Sequence, residues 1–132
     1  MNSKSAEELV RSAYEAAENA YAPFSKFRVG AAILTDDGSV FTGCNVENSS
    51  YGLTICAERN AVFSAVAEGH RKIKAVAIAV KSDAIPYPCG ACRQVIAEFA
   101  DVDCPVYVAS AGDPPGIEKT TIGSLLPYMF RL

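Results

Sequence analysis

Residues 73–80 read IKAVAIAV, an apolar run with the length of a buried β-strand. A proline-rich loop follows at residues 85–88, and residues 89–99 then carry a helical pattern. A strand, a loop and a helix in this order indicate an α/β protein, in which helices cover a sheet. The start of this helix is predicted to lie at the carboxyl end of the strand, where open α/β sheets bind ligands.

The residues before this unit predict a helix and a hairpin. A helical apolar pattern runs to about Tyr21 and is ended by Pro23. Residues 27–35 are apolar and strand-like, and Asp37-Gly38 is a hairpin turn signal. We therefore expect residues 39–43 to return as a second, antiparallel strand.

A second helix is predicted over residues 55–68. Thr54 is placed to cap its start, and Gly69 to end it. Like the helix at residues 89–99, it should begin at the carboxyl end of a strand. Both helix starts would then meet at one edge of the sheet.

The last third of the chain predicts a strand at residues 106–109, a turn at 112–116 and a short strand at 117–119. A final helix follows from about Thr121. The link between the two strands is shorter than the roughly ten to twelve residues that a parallel crossover needs. The last strand should therefore run antiparallel to its predecessor. Residues 1–132 are predicted to form one domain, a three-layer α/β/α sandwich around a five-stranded mixed sheet.

Composition excludes several classes of partner. The net charge is −3, and no block of Lys or Arg could follow a phosphate backbone, so we expect no nucleic-acid partner. No apolar run approaches the roughly 18–20 residues of a membrane span. Residues 1–11 mix charges into a helical pattern rather than forming a signal sequence, so a cytoplasmic location is predicted. A small neutral ligand fits this charge balance.

Five cysteines in such a chain favour metal or redox chemistry over disulfides. Cys89 and Cys92 are three positions apart and share a face at a helix start, where the helix dipole favours thiolates. Cys56 also lies at a helix start. Three thiolates would leave the fourth position of a tetrahedral zinc open for water, as catalytic zinc requires.

Glu58, two residues after Cys56, is the candidate proton carrier. Positions i and i+2 do not face each other on a regular helix, so Cys56 must lie at the helix edge with Glu58 reaching back toward the N-terminus. Zinc with three thiolates carries a net negative charge, which opposes formation of hydroxide. Arg59 and the two positive helix ends are expected to offset that charge.

Two other readings of the cysteines stay open at this point. Cys89 and Cys92 could form a thioredoxin-like redox pair. A closed structural zinc site could recruit Cys44 or Cys104 as a fourth thiolate. Neither accounts for Glu58, and we expect Cys44 and Cys104 to pack as small apolar residues.

Seven motifs together resemble the cytidine deaminases of the small, homotetrameric, zinc-dependent type. The resemblance covers about residues 21–130. The motifs are YAPFS (21–25), FRVGA (27–31), GCNVEN (43–48), SYGLT (50–54), CAER (56–59), PCGACRQ (88–94) and LLP (125–127).

The resemblance implies one zinc per subunit, held by Cys56, Cys89 and Cys92, and hydrolytic deamination of cytidine and 2′-deoxycytidine to uridine and 2′-deoxyuridine plus ammonia. It matches the signature of zinc deaminases, with a first ligand two residues before a glutamate and a later P-C-x-x-C. Zinc-bound hydroxide would attack C4 of the pyrimidine. Glu58 would take a proton from the water, protonate N3 and later protonate the departing amine.

The resemblance also implies contacts to the nucleoside. Asn45 and Glu47 match positions that bind the ribose 3′-hydroxyl, although taken alone they read as a turn residue and a solvated charge. Phe24 matches a residue that packs near the pyrimidine ring, where its plain alternative is core packing. The backbone around Ala57 and Cys89 is implied to hydrogen-bond the base.

Tyr51 and Phe130 match aromatic residues that close the pocket of a neighbouring subunit, with ordinary packing as the alternative. The resemblance thus implies a homotetramer in which pockets are shared. Nothing in the motifs ranks cytidine against 2′-deoxycytidine, because both keep the 3′-hydroxyl.

Three rival functions remain. Blasticidin S deaminases share the cysteine motifs, but the NVEN run at residues 45–48 and Arg59 fit cytidine deaminases better. Nucleic-acid deaminases commonly use His as the first ligand, and the last strand of their sheet is expected to be parallel. Cys56, the short turn at residues 112–116 and the acidic charge balance disfavour this function. A zinc-stabilised binding module would not need Glu58.

Overall fold

The structure is a computed structural model and describes residues 3–111 and 116–132. Five strands and four α-helices lie within these residues, together with a 3₁₀ turn at Tyr51–Leu53. Their bounds are α1 Ser3–Ala17, β1 Val29–Thr35, β2 Val40–Cys44, α2 Ala57–Ala67, β3 Ile73–Val80, α3 Gly90–Phe99, β4 Pro105–Ser110, β5 Gly116–Thr121 and α4 Ile122–Leu125.

The strands form one mixed sheet in the order β2-β1-β3-β4-β5. β3 and β4 are parallel, and the other neighbouring pairs are antiparallel. Because β1 runs against both β2 and β3, the latter two point the same way and end at the same edge. The antiparallel direction of β5, which the short link predicted, is confirmed. Apart from Gly116, the predicted turn at residues 112–116 lies outside the described residues.

Side chains alternate between the two faces of the sheet, and each face is covered by helices. One face packs against α1 and consists mostly of alanines, including Ala32, Ala77 and Ala109. The other packs against α2 and α3 through larger residues such as Ile33 and Ile78. The predicted three-layer α/β/α sandwich is confirmed.

Gly43 brings α2 close to strand β2. A Cβ atom at this position would lie 2.5 Å from the Ala61 nitrogen and 2.7 Å from the Ala57 carbonyl oxygen. Such contacts are too short for any side chain, so only glycine allows this approach. The start of α2 is thereby held against the end of the strand.

Two predicted helix boundaries are wrong. Cys56, rather than Thr54, is the N-cap of α2. The Thr54 hydroxyl instead accepts the Asn48 N–H at 3.2 Å within the preceding loop. α1 ends at Ala17 rather than near Tyr21, because the Tyr21 backbone bonds to the Asn45 carbonyl at 3.0 Å and the Glu47 N–H at 2.8 Å.

Candidate metal centre and active site

Three thiols meet at the sheet edge where β2 and β3 end. The Sγ atoms of Cys56, Cys89 and Cys92 all lie within 4.8 Å of one another. Cys89 Sγ is 4.0 Å from Cys56 Sγ and 3.5 Å from Cys92 Sγ. Sulfur ligands of a tetrahedral zinc, with Zn–S bonds of about 2.3 Å, lie about 3.8 Å apart. The two Cys89 separations are close to this spacing, so the thiol cluster suits a zinc ion.

Two helix starts place these thiols. Cys56 is the N-cap of α2 and Cys89 the N-cap of α3, both with extended backbone, and Cys92 lies in the first turn of α3. The first amides of a helix have no intrahelical partner and carry the positive end of its dipole. Cys92 is buried and Cys89 is exposed, so one side of the cluster is open to solvent.

The thiols share protons unequally. A hydrogen bond from Cys92, together with the nearby Arg59 guanidinium, lowers the pKa of Cys56 to about 5. The same bond to Cys56, together with burial, raises the pKa of Cys92 well above its ordinary value. At neutral pH, Cys56 is therefore a thiolate while Cys92 keeps its proton.

We expect zinc binding at pH 7 to release at least the Cys92 proton, because metal ligation requires thiolates. Calorimetric titration of the metal-free protein in buffers of different ionisation enthalpy measures this release. A binding enthalpy independent of the buffer would contradict the assignment of Cys92 as a protonated ligand.

Glu58 lies in the first turn of α2 with only 5 % of its surface exposed. Since Cys56 is the N-cap with extended backbone, the two side chains are not constrained by regular helix spacing. Burial, with a smaller contribution from the Cys56 thiolate, raises the pKa of Glu58 to about 7. A carboxyl poised near neutral pH is suited to proton transfer in both directions.

Arg59 turns toward the thiol cluster. Its Nη2 donates to Cys56 Sγ at 3.4 Å. Its buried Nε has no hydrogen-bond partner among residues 3–111 and 116–132. The bond to the Cys56 thiolate raises the pKa of Arg59, so the guanidinium stays charged and offsets part of the thiolate charge.

Asn45 and Glu47 both brace the loop before β1. Asn45 Oδ1 accepts the Val29 N–H at 2.9 Å, and its Nδ2 donates to the Phe27 carbonyl at 2.7 Å. Glu47 accepts the Phe24 N–H at 2.9 Å, the Ser25 N–H at 3.1 Å and the Ser25 hydroxyl. The Ser25 hydroxyl in particular lowers the pKa of Glu47, which stays ionised.

These hydrogen bonds do not use every donor and acceptor of the Asn45 and Glu47 side chains. A carboxylate has about four lone-pair sites, and an amide nitrogen has two hydrogens. One lone pair of Glu47 and one Nδ2 hydrogen of Asn45 thus remain available.

Aromatic side chains flank this loop. The rings of Phe24 and Tyr51 meet edge to face with their centroids 6.0 Å apart. Phe24 is 49 % exposed, Tyr51 77 % and Phe130 68 %. The structure therefore does not support simple core packing of these three residues.

Two contributors were not anticipated from the sequence. Ser25 orients Glu47 through its hydroxyl. Asn60 Nδ2 donates to the Cys44 carbonyl at 2.8 Å and so joins α2 to the segment that carries Asn45. The YAPFS motif contains Ser25, but its partner becomes visible only when the loops are brought together.

Neither Cys44 nor Cys104 belongs to the thiol cluster in the described part of the chain. Cys104 is 4 % exposed and packs in the core with Ile73 and Val106. The structure thus gives no support to a fourth thiolate, and the third thiol and Glu58 distinguish the cluster from a simple redox pair.

Comparison with known proteins agrees with this geometry. The family model for the cytidine and deoxycytidylate deaminase zinc-binding region matches residues 3–108. A cytidine deaminase of Sporosarcina psychrophila is 50 % identical over 125 residues, which cover 94 % of this chain and 90 % of the relative. The crystal structure of cytidine deaminase from Burkholderia pseudomallei has a TM-score of 0.88 and 45 % identity, covering 98 % of this chain and all of the other.

A blasticidin-S deaminase of Bacillus cereus is less similar, with 33 % identity over 115 residues, or 80 % of this chain and 79 % of the relative. The family match spans the three cysteines and Glu58. This chain belongs to the cytidine and deoxycytidylate deaminase family.

Proposed function

We propose that this chain hydrolyses the exocyclic amine of cytidine and 2′-deoxycytidine, giving uridine or 2′-deoxyuridine and ammonia. Cys56, Cys89 and Cys92 hold one zinc per subunit, and Glu58 carries the protons. The observation that carries this proposal is the buried Glu58 carboxyl beside a three-thiol cluster that is open on one side.

Zinc at this site would supply a Lewis acid that lowers the pKa of water. The other steps belong to the protein's own residues. Glu58, with its pKa raised to about 7, accepts a proton from the attacking water. It delivers this proton to N3 of the pyrimidine. It then takes the remaining proton from the hydroxyl added at C4 and passes it to the departing amine, so that water and nucleoside become the carbonyl product and ammonia.

Residues of the neighbouring loop would hold the nucleoside. The free lone pair of Glu47 suits a hydroxyl donor, and the free Nδ2 hydrogen of Asn45 suits the same oxygen as an acceptor. Phe24 would pack near the pyrimidine ring of the nucleoside. The Ala57 amide, at the start of α2, is without an intrahelical acceptor and can donate to the base.

The oligomer belongs to the same proposal. Tyr51 and Phe130 are largely exposed, as are Tyr128 and Leu132 near the C-terminus. Large apolar side chains exposed to solvent are a common feature of protein interfaces. We propose a homotetramer in which Tyr51 and Phe130 close pockets of neighbouring subunits.

Dilution to monomer should therefore abolish turnover. Sedimentation and activity measured over the same concentration range test this, with the zinc content recorded at each point. A zinc-loaded monomer with full turnover would overturn the shared pocket.

We propose a cytoplasmic location because catalysis needs free thiolates at the cluster. All five cysteines are free, and reducing compartments preserve thiols. In the described part of the chain, no helix has the length and apolar character needed to cross a membrane.

Ammonia release from cytidine, free cytosine and blasticidin S, measured in parallel with zinc-loaded protein, tests the substrate class. We expect rapid release from cytidine and little from the other two, because only cytidine presents a ribose to Asn45 and Glu47 together with the pyrimidine. Ammonia release confined to blasticidin S would contradict the substrate assignment but would still support hydrolytic deamination. No release from any of the three would overturn the function.

A further inference from the structure

Arg93 follows the ligand Cys92 and is used by none of the steps above. Its Nε donates to the Pro88 carbonyl at 2.7 Å, and its Nη1 donates to the Leu125 carbonyl at 2.9 Å. The guanidinium thus joins the loop before α3 to the end of α4. A planar guanidinium has donors on several edges and can hold two carbonyls at once.

The Pro88 carbonyl is the acceptor next to Cys89. Pro88 itself is fully buried, whereas the Cys89 side chain is exposed and makes no capping bond. The backbone N–H of Arg93 donates to the Cys89 carbonyl at 3.0 Å. The backbone on both sides of Cys89 is therefore held by one residue, its preceding carbonyl by the Arg93 side chain and its own carbonyl by the Arg93 amide.

This anchorage matters for the thiol cluster because Cys89 Sγ lies close to both of the other sulfurs. It is 4.0 Å from Cys56 Sγ and 3.5 Å from Cys92 Sγ. Rotation of the Pro88–Cys89 backbone would displace Cys89 Sγ, which lies at the exposed side of the cluster.

The other end of the contact is fixed. Leu125 is the last residue of α4 and packs against the hydrophobic core. The carbonyls at a helix end have no intrahelical donor, so the guanidinium satisfies one of them. Arg93 consequently braces the Cys89 loop against a packed element rather than against solvent.

We propose that Arg93 is a positioning residue that keeps Cys89 in ligand geometry by clamping the Pro88 carbonyl to the end of α4. The inference rests on the proposed ligand role of Cys89. It goes beyond the ligand set because it names the residue that makes Cys89 ready to bind.

Arg131 provides a matched control. Its guanidinium also holds two carbonyls, those of Ala97 at 3.0 Å and of Ala100, near the opposite end of α3. It ties the C-terminal segment to the same helix without touching the loop of Cys89. Loss of Arg131 should therefore cost general stability but leave the ligand loop in place.

The test is zinc release from holoenzyme to a chromophoric chelator, for the wild type, Arg93→Met, Arg93→Lys and Arg131→Met. Residues that orient metal ligands typically contribute about 10–100-fold to metal affinity. We expect Arg93→Met to weaken zinc affinity by about 10–100-fold, which would appear as faster release of zinc to the chelator. Arg93→Lys should fall between it and the wild type, because an ammonium cannot span both carbonyls. Arg131→Met should release zinc at the wild-type rate.

Thermal unfolding of each metal-free variant, and its sedimentation, separate ligand positioning from loss of stability or assembly. Wild-type zinc release by Arg93→Met would overturn the proposal, as would equal acceleration by Arg131→Met. If Arg93→Met does not fold, Arg93→Lys decides, and a wild-type rate for it overturns the proposal. Zinc release needs no substrate, so a wrong nucleoside leaves this test intact. A wild type that binds no zinc would overturn the proposed function itself.

Discussion

Replacement of Glu58 by glutamine is expected to reduce turnover by about 10²–10⁴-fold, the usual contribution of a general acid–base group. Gln is nearly isosteric with Glu but cannot carry a proton between the water, N3 and the leaving amine. Because Glu58 is buried and its pKa is raised chiefly by burial, a neutral amide should be accommodated without loss of fold. Turnover, zinc content and the unfolding midpoint are measured on the same preparation.

Glu68→Gln is the matched control for this prediction. Glu68 is the exposed C-cap residue of the same helix, far from the thiol cluster along α2. It should keep both zinc and turnover. Wild-type turnover by zinc-loaded Glu58→Gln would remove Glu58 from the mechanism and would favour a structural zinc site in a binding module.

Serine at Cys56, Cys89 or Cys92 is expected to abolish retention of zinc, and turnover with it. A serine hydroxyl stays protonated near neutral pH and is a poor zinc ligand, so only two thiolates would remain. The folding free energy that zinc binding contributes would also be lost. Metal analysis after gel filtration, together with the unfolding midpoint with and without added zinc, measures both effects.

Cys44→Ser and Cys104→Ser are the controls for this ligand set. Both should retain one zinc per chain, although Cys104→Ser should lower stability because the site is 4 % exposed and packed among apolar residues. Loss of zinc from either variant would point instead to a closed site with a fourth thiolate.

Local patterns were sufficient to predict most of the fold. The apolar run at residues 73–80 is strand β3 with the same bounds, and the Asp37-Gly38 signal joins β1 to β2. The short link before β5 determined its antiparallel direction, since geometry forbids a parallel crossover of that length. These predictions depended on spacing and period, which are properties of the sequence itself.

The thiol cluster was predictable because the Cys56 and Cys89 motifs each begin a helix at the same sheet edge. The residue at which α2 starts could not be predicted, because both Thr54 and Cys56 are acceptable at a helix boundary. The Thr54 hydroxyl bonds within the preceding loop, and Cys56 is the N-cap. Likewise, Asn45 and Glu47 were singled out by resemblance, but their bonds to the loop at residues 24–29 appear only in the folded chain.

Arg93 shows the same limit more clearly. Its position after Cys92 is visible in the sequence, but its two acceptors, Pro88 and Leu125, are 5 and 32 residues away. No local pattern indicates that the end of α4 lies beside the loop of Cys89. The contacts of Tyr51 and Phe130 could not be predicted from local sequence either, because their proposed partners would lie on other subunits.

The most direct test of the account is conversion of cytidine by zinc-loaded protein in ¹⁸O-labelled water, followed by mass spectrometry of the nucleoside and ammonia determination. Hydrolytic attack at C4 predicts uridine with one labelled oxygen and one ammonia per uridine formed. Failure to form uridine, or uridine without the label, would contradict hydrolytic deamination at this site.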